Sequence, residues 1–274
     1  MISLAYSPCP NDTFIFYHLI NDKSYPVKEE LHDVEKLNEY AFENKFPVTK
    51  LSFAAYFKVI ENYILLEVGS ALGRGCGPIL VRKKGSNTNL HNYNCLFVPG
   101  LNTTANLLLS LYTNGNHKPE PLRYDKIIPG VTEDDSNLGV IIHEERFTYE
   151  KRGLEAVVDL GEWWEESTGN PIPLGAIAIR RDIPKEEALR FQDALKNSLK
   201  IAYSEPKPMM DYIKENSQNK DEVVIKSHID LYVNEFTQNL GKIGHDAITH
   251  LLERAVQVGF IPKPKNLELF LGER

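Results

Sequence analysis

Cysteines and long apolar runs are both scarce in this chain of 274 residues. Its three cysteines, Cys9, Cys76 and Cys95, are odd in number and widely spaced, which fits neither a disulfide framework nor a paired-cysteine metal site. No apolar run approaches the roughly 20 residues that a membrane-spanning helix needs, and no basic segment followed by an apolar core and a cleavage site opens the chain. We therefore expect a reducing compartment, the cytoplasm, and a mature chain that begins near Met1.

Excess positive charge and a dinucleotide-binding fingerprint are missing as well. The chain carries 31 Lys and Arg against 38 Asp and Glu, a formal net charge of −7, and has no basic stripe that would grip nucleic acid. The glycines of segment 73–78 are spaced Gly-x-Gly-x-Gly and precede a predicted strand instead of opening a helix. We therefore expect a small-molecule substrate, no nucleic-acid partner, and neither a nicotinamide nor a flavin cofactor.

Length and apolar content, by contrast, suffice for two ordinary domains, since 42% of the residues are hydrophobic. The apolar run 2–6 predicts a strand, the proline-containing segment 7–13 a rigid turn, and the run 14–20 a helix. Three residues could cap this helix: Asn11, Asp12 and Thr13. Amides at a helix start attract anions, and ligands of open α/β sheets bind beyond the carboxyl ends of strands. This stretch is therefore either one wall of a binding cleft or a tight loop without a ligand.

The alternation of strand and helix recurs twice. A strand over 46–52 would carry Lys50 and Ser52 at its end and lead into a helix. Lys50 could pair with a carboxylate or be an ordinary surface lysine. A strand at 95–98 is followed by a helix with Thr103 at its head, which is either a second anion-binding helix start or a plain N-cap.

The remaining pattern predicts a chain that leaves one lobe and returns to it. Further strands are predicted at 79–82, 126–128, 138–142, 153–160 and 171–180, and helices at 161–167 and from 184 nearly to the end. Segment 21–36 is interpreted as a polar insert in an outer loop, and segment 83–93 as a bridge between domains. The strand at 171–180 would be the return crossing, so that two segments form a hinge. The predicted lobes are 1–88 with 181–274, the larger one, and 89–180, the smaller one.

His143 is the strongest candidate for chemistry. It directly follows an apolar strand, where an inward-facing ring would project into the cleft, and imidazole titrates near pH 7 as a general base should. The alternative is a histidine at a strand end that is solvated or hydrogen-bonded to Glu144 or Glu145.

The sequence gives only weak signals for a catalytic nucleophile, a metal site or an aromatic stacking site. Ser7 precedes a proline and does not lie in a G-x-S-x-G turn, and His245 and His250 are spaced i, i+5 instead of the i, i+4 of a metal-binding helix. We therefore predict neither a nucleophilic triad nor a metal site. Trp163 and Trp164 could stack on an aromatic ligand, or they could divide between the core and a domain interface.

Six stretches of the chain together carry a family resemblance: Ser7–Phe14, Thr49–Phe53, Gly73–Pro78, Thr103–Ala105, Ile142–Glu144 and Leu160–Trp164. They run in order from residue 6 to about residue 180, and the C-terminal helices add little to the likeness. A single stretch would be a weak signal, whereas six in order are specific. Together they resemble the 1,4-dihydroxy-6-naphthoate synthase family of the futalosine route to menaquinone.

The resemblance implies an α/β fold with two lobes, like that of type II periplasmic binding proteins, in which each lobe is a mixed sheet flanked by helices and the ligand cleft lies between them. It implies a lyase without cofactor or metal that cleaves cyclic dehypoxanthinyl futalosine, an aromatic carboxylate with a sugar-derived ring, by base-initiated, retro-aldol-like chemistry. His143 would be the proton acceptor. The predicted substrate-binding residues are Lys50, Leu51, Ser52, Thr103 and Thr104, together with Asn11 and Asp12 from the first helix start.

Two other functions stay open at this point. A non-catalytic solute-binding protein would have the same two lobes, although such proteins carry an export signal and have no need of a histidine at a strand end. Chorismate dehydratase, a sibling enzyme of the same pathway with a similar architecture, would release water from chorismate. The oligomeric state is not indicated by the sequence.

Overall fold

Two mixed β-sheets flanked by helices form the protein, as the sequence predicts. The computed structural model describes residues 1–22, 25–205 and 207–272. The strands in these ranges are β1 (Ile2–Tyr6), β2 (Val27–Leu31), β3 (Val48–Ser52), β4 (Tyr63–Leu65), β5 (Ala71–Gly73), β6 (Ile79–Lys83), β7 (Leu96–Val98), β8 (Glu120–Pro121), β9 (Leu138–Ile141), β10 (Leu154–Asp159) and β11 (Ile172–Arg180). The α-helices are α1 (Pro10–Asn21), α2 (Val34–Phe42), α3 (Phe53–Tyr56), α4 (Thr104–Tyr112), α5 (Tyr124–Glu133), α6 (Leu160–Thr168), α7 (Lys185–Ser204), α8 (Met210–Asn216), α9 (Glu222–Tyr232), α10 (Glu235–Gln238) and α11 (Gly241–Gln257). Among the helices of these described ranges, none combines the length and the hydropathy that crossing a bilayer requires.

The first sheet has the strand order β2-β1-β3-β11-β4, with β5 also paired to β11. Strand β1 is parallel to β2 and β3, whereas β11 is antiparallel to β3, β4 and β5. All five residues of β3 are buried, as expected of a central strand covered on both faces. Because β1 and β3 are parallel, their carboxyl ends meet at one edge of the sheet. The turn after β1 therefore lies beside the segment 50–52 at the end of β3.

The second sheet has the order β10-β6-β9-β7-β8. Strand β7 is parallel to β8 and β9, while β6 is antiparallel to β9 and β10. The parallel strands β7 and β9 end at the same edge, so that Thr103, in the connection to α4, and His143, just after β9, are brought to one side of the sheet. Strand β10 lies at the edge of the second sheet.

The chain passes between the sheets at 74–78 and again at 160–171, because β5 and β11 pair in the first sheet while β6 and β10 pair in the second. Segment 83–93 therefore joins two strands of one sheet, and its interpretation as a bridge between domains is wrong. Turn-forming residues mark any chain reversal, so composition cannot separate a loop within a sheet from a crossing. We propose that the two lobes meet within segments 74–78 and 160–171. These boundaries replace the predicted ones after residues 88 and 180.

A close backbone contact fixes the first crossing. Gly77 lies so near Gly161 that a Cβ added to Gly77 would be 2.2 Å from the Gly161 Cα. Arg146 donates hydrogen bonds to the Gly77 carbonyl oxygen and to the Asp159 carboxylate beside this contact. Only glycine permits two backbones to approach in this way. The glycine-rich segment 73–78 thus has a packing role.

Helix α1 begins earlier than the sequence predicts. Pro10 occupies its first turn, where a fixed φ and a missing amide are tolerated, and Cys9 is the N-cap without a side-chain hydrogen bond. The prediction that Asn11, Asp12 or Thr13 caps the helix is wrong. The Thr13 hydroxyl donates to the Cys9 carbonyl oxygen at 2.9 Å, and the other two side chains lie in the first turn and make contacts described below.

Two other predicted elements differ from the structure. The predicted strand at 126–128 is part of α5, because apolar residues recur there at helical spacing. Those buried residues are Tyr124, Ile127, Ile128 and Val131. Segment 21–36, predicted as an outer loop, contains β2, which pairs with β1 over five residues, and the start of α2. Residues 23 and 24 of that segment lie outside the described ranges.

A continuous apolar core joins the two sheets. Leu107 and Leu108 of α4 are fully buried in the same cluster as Leu51 of the first sheet and Val140 of the second. Trp164 of α6 is also fully buried there. Helix α4 thus packs against both sheets, and its N-terminus is held at the junction between them.

Candidate active site

A cavity lies at the junction of the two sheets, and its atom-free space of about 700 Å³ includes open solvent. Its lining combines apolar side chains with a few convergent polar groups, as is typical of small-molecule sites. All eight residues that the sequence predicts for the site line it: Asn11, Asp12, Lys50, Leu51, Ser52, Thr103, Thr104 and His143. They come from four places in the fold, namely the start of α1, the end of β3, the start of α4 and the segment after β9.

His143 has an uncommon backbone conformation. Its φ is +58°, in the left-handed region that few residues other than glycine adopt, and it follows the extended residue Ile142. Such a conformation persists only where the surroundings impose it, and it is concentrated at functional sites. The abrupt change of direction after β9 places the ring in the cavity lining and ends the strand.

The His143 imidazole is uncharged near neutral pH. Burial lowers its pKa below the ordinary value, although the neighbouring carboxylates of Glu144 and Asp12 act in the opposite direction. Among the described residues, the ring nitrogens contact the Cys9 thiol, with Sγ 3.5 Å from Nδ1, and not Glu144 or Glu145. The Tyr124 ring packs edge-on against it, with centroids 5.1 Å apart. A neutral ring in this setting can accept a proton.

The Cys9 thiol supports His143 and is not itself a nucleophile. It is buried, and burial, reinforced by the charges of Glu144 and Asp12, raises its pKa well above the usual range. The sulfur therefore keeps its hydrogen, and a thiol is a weak hydrogen-bond donor. The contact helps to orient the imidazole and does not produce a reactive thiolate.

Lys50 forms a buried ion pair with Asp12. Its Nζ lies 2.8 Å from Oδ1 of Asp12, and the two side chains are only 8% and 2% exposed. Nζ also donates to the Gly69 carbonyl oxygen at 3.1 Å. Asp12 in turn accepts from the Ser7 hydroxyl at 2.7 Å and from Nδ2 of Asn11 at 2.9 Å. The predicted surface-lysine alternative is thereby excluded, because Lys50 belongs to a connected polar network in the cavity wall.

The start of α4 provides the opposite wall. Thr103 caps the helix, since its hydroxyl oxygen accepts from the Asn106 amide at 3.3 Å and its hydroxyl donates to the Gly100 carbonyl oxygen at 2.8 Å. The Thr104 hydroxyl donates to the Leu174 carbonyl oxygen at 2.6 Å. Both threonine hydroxyls thus have partners already, and the donors that this helix start can offer a ligand are its backbone amides.

Asn102 ties this helix start to the first sheet. Its backbone amide and its Nδ2 both donate to Oε1 of Glu35, at 3.1 and 2.8 Å. Its carbonyl oxygen accepts from Asn38 at 3.2 Å, and its Oδ1 accepts from Lys58 at 2.8 Å. Glu35, Asn38 and Lys58 all belong to the part of the chain that packs on the first sheet. Their bonds to Asn102 hold the start of α4 against the cavity.

The site includes residues that sequence reasoning missed. Helix α9 contributes His228 and Tyr232, although the C-terminal helices add little to the resemblance. A signal was present, because Ile225, His228 and Tyr232 follow each other at spacings of three and four on the buried face of α9. A histidine at a core position of an amphipathic helix could have been singled out.

The two tryptophans lie outside this cavity. Trp164 is buried in the core, and its Nε1 donates to the Pro171 carbonyl oxygen at 3.2 Å. Trp163 is half-buried, packs against the same core cluster, and contacts Tyr112 edge-on with centroids 5.4 Å apart. Trp164 thus belongs to the core, as the second alternative predicts, and the predicted place of its neighbour at a domain interface stays a prediction.

Glu145, two residues after His143, is held uncharged. Burial raises its pKa to about 8 in spite of the nearby Arg152, whose guanidinium lies 3.3 Å from Oε1. Among the described residues, Oε2 has no hydrogen-bond partner. An ionised carboxylate would be costly in this position, which is why the protonated form persists at neutral pH.

The substitution Glu145→Gln should therefore stabilise the protein at neutral and alkaline pH. Between about pH 4.5 and 8 the unfolded chain has lost the Glu145 proton while the folded protein keeps it, so wild-type stability falls with rising pH. Glutamine removes this dependence, and its advantage should reach about 2 kcal/mol near pH 8, after allowance for the lost Arg152 pair. Urea unfolding at pH 5 and pH 8 measures it. If the free energies of unfolding of the wild type and of Glu145→Gln differed by the same amount at both pH values, the raised pKa of Glu145 would be contradicted.

A family comparison decides the identity of the chain. A model of the menaquinone biosynthesis family matches residues 2–257, nearly the whole length. The chain belongs to the menaquinone biosynthesis family. Two curated relatives are both named 1,4-dihydroxy-6-naphthoate synthase. The Thermus thermophilus protein is 43% identical over 97% of this chain and 98% of its own length, and the Streptomyces coelicolor protein is 37% identical over 95% of each. This member of the menaquinone biosynthesis family is therefore an enzyme, and a non-catalytic role is not favoured.

Solved structures confirm the predicted fold. A protein from Archaeoglobus fulgidus superposes with a TM-score of 0.88 at 33% identity, covering 95% of this chain and 98% of that one. The ligand-binding component of an ABC-type import system from Staphylococcus aureus gives 0.73 at 12% identity, with 98% and 95% covered. The periplasmic aliphatic sulphonate binding protein of Escherichia coli gives 0.65 at 9% identity, with 96% and 94% covered. The menaquinone biosynthesis enzyme thus has a periplasmic-binding-protein-like fold.

Proposed function

We propose that this menaquinone biosynthesis enzyme is a cytoplasmic carbon–carbon lyase that converts cyclic dehypoxanthinyl futalosine into 1,4-dihydroxy-6-naphthoate. The names of the relatives at 43% and 37% identity support the product. The observation that carries the proposal is the uncharged His143 imidazole, which lines a cavity together with the starts of α1 and α4. A neutral base between two helix starts suits the deprotonation of a hydroxyl group on an anionic substrate.

His143 starts the reaction by accepting a hydroxyl proton of the substrate. The electrons of the O–H bond form a carbonyl group, the adjacent carbon–carbon bond breaks, and its electrons pass into an enolate. A positioned base of this kind contributes about 10²- to 10⁴-fold to the rate. Loss of the fragment leaves an aromatic ring, which supplies much of the driving force. The proposed steps are proton transfer and bond cleavage, and neither calls for a metal or an organic cofactor.

The wall opposite His143 binds and orients the substrate. The backbone amides at the start of α4, beginning with that of Thr104, suit a carboxylate, because a helix start attracts negative charge. The Thr103 amide already donates to the Gly100 carbonyl oxygen at 3.4 Å. Ser52 and Leu51 at the end of β3 line the same part of the cavity and offer a hydroxyl and an apolar surface to an aromatic ring. The Lys50 ammonium, which is paired with Asp12 in the cavity wall, can stabilise an enolate nearby.

The test is a single incubation with the purified protein. Protein treated with a chelator and desalted is mixed with cyclic dehypoxanthinyl futalosine alone, and the naphthoate is followed by mass spectrometry. Multiple turnovers support the proposal. Tight binding of the compound without any product would indicate a solute-binding protein, and loss of water from chorismate in a parallel incubation would indicate the dehydratase. Either of these results would refute the proposed reaction.

A further inference from the structure

A second histidine lies beside His143, and the proposed reaction does not use it. His228 of α9 is 1% exposed and lines the same cavity. Its ring is stacked near that of His143, with centroids 6.1 Å apart and planes inclined by 26°. The proposed reaction therefore leaves the second imidazole in the cavity without a binding partner in the substrate.

The hydrogen bonds of Asn11 determine the tautomer of His228. Nδ2 of Asn11 donates to Oδ1 of Asp12 at 2.9 Å, so the amide oxygen of Asn11 is the atom that faces Nε2 of His228, also at 2.9 Å. An amide oxygen can only accept. Nε2 of His228 therefore carries the hydrogen, and the Asp12 carboxylate keeps the intervening amide in this orientation.

The other ring nitrogen of His228 is left with an unshared electron pair. Nδ1 is buried and has no hydrogen-bond partner among the described residues. Burial, with His143 and Lys50 as further causes, lowers the pKa of His228 well below its ordinary value, so protonation does not relieve the unpaired nitrogen. A buried acceptor without a partner is costly, and native proteins retain few of them.

We propose that Nδ1 of His228 accepts a hydrogen bond from a hydroxyl group of the substrate and thereby orients the hydroxyl-bearing ring toward His143. This inference rests on the proposed function and adds to it a subsite for hydroxyl groups. A neutral acceptor repels a carboxylate, so the substrate enters with its carboxylate toward α4 and its hydroxyl groups toward the two histidines. Because Nδ1 has no exposed surface without a ligand, a small movement of the ring or of the lobes accompanies binding.

Binding of two naphthalenes tests this assignment without catalysis. The probes are 1,4-dihydroxy-6-naphthoate and naphthalene-2-carboxylate, which share the rings and the carboxylate and differ in the two hydroxyl groups. Calorimetry should show that the wild-type protein binds the dihydroxy compound at least about tenfold more tightly, as one hydrogen bond of about 1.4 kcal/mol predicts. In His228→Phe, which keeps an aromatic ring at the position, this ratio should fall by about tenfold, to the part that His143 alone supplies. His91→Phe, at an exposed position outside the cavity, is the matched control and should keep the wild-type ratio.

A measurement on the unaltered protein covers the possibility that His228→Phe does not fold. In ¹⁵N NMR of the imidazoles, the Nδ1 resonance of His228, assigned through its connection to the α9 backbone, should move on addition of the dihydroxy compound and stay in place with naphthalene-2-carboxylate. An unchanged ratio in His228→Phe, or an unmoved Nδ1 resonance, would overturn the inference while turnover of the futalosine derivative stayed intact. If the proposed function itself failed, the wild-type protein would show no turnover and bind neither compound, and this inference would fall with it.

Discussion

Replacement of His143 with asparagine should lower kcat/KM for naphthoate formation by about 10²- to 10⁴-fold, the usual contribution of a positioned base. Asparagine is the informative substitution, because it tolerates the left-handed backbone conformation that His143 adopts at φ +58°. The fold and the start of the turn after β9 should therefore persist while the proton acceptor is lost. Alanine would combine the loss of the base with backbone strain.

The measurement is steady-state kinetics beside the melting temperature of each variant. His91→Asn, an exposed histidine in a loop, is the matched control and should retain full turnover. The pH profile gives a second readout. Because burial lowers the pKa of His143 below the ordinary histidine value, wild-type kcat/KM should stay level near pH 7 and fall only at a more acidic pH than an ordinary imidazole would give. Near-normal turnover by a folded His143→Asn protein would refute the assignment of the base.

Local sequence patterns were sufficient to find eight of the 20 residues that line the cavity. His143, the segment 50–52 and Thr103 each lie at or just after the end of a strand, and strand ends can be read from apolar runs that stop at a polar or turn-forming residue. The rule that ligands bind beyond the carboxyl ends of strands then groups them. The same patterns give the two sheets and most helices. They fail at α1, where Pro10 starts the helix, and at 126–128, where short apolar runs fit a helix and a strand equally.

Local sequence patterns do not predict contacts between segments that lie far apart in the chain. His228 meets Asn11 across 217 positions of the chain, and the pairing of Lys50 with Asp12 depends on the parallel register of β1 and β3. Whether Lys50 is a surface cation or half of a buried ion pair changes its chemistry, yet the sequence around it is the same in both cases. The state of an ionisable group depends on burial and on neighbours that only the folded chain brings together.

The Lys50–Asp12 pair gives the second large effect. Lys50→Met should destabilise the ligand-free protein by about 3 kcal/mol, because methionine fills the space of the lysine stem but leaves the Asp12 carboxylate buried without its cation. The remaining bonds from Ser7 and Asn11 offset only part of that cost. Urea unfolding at pH 7 measures the change. In the double variant Lys50→Met/Asp12→Asn, no charge is left unpaired, so much of the stability should return.

An exposed ion pair shows how much of the expected loss of stability depends on burial. Lys242 and Asp246 lie one turn apart on α11 with the same 2.8 Å separation, but their side chains are 86% and 58% exposed. Lys242→Met should hardly change the unfolding midpoint, since water screens both charges. If Lys50→Met were no more harmful than Lys242→Met, or if adding Asp12→Asn lowered stability further, the carboxylate of Asp12 would not depend on Lys50. The cavity wall would then owe its stability to the neutral hydrogen bonds of Ser7 and Asn11, and Lys50 would have to be retained for the ligand alone.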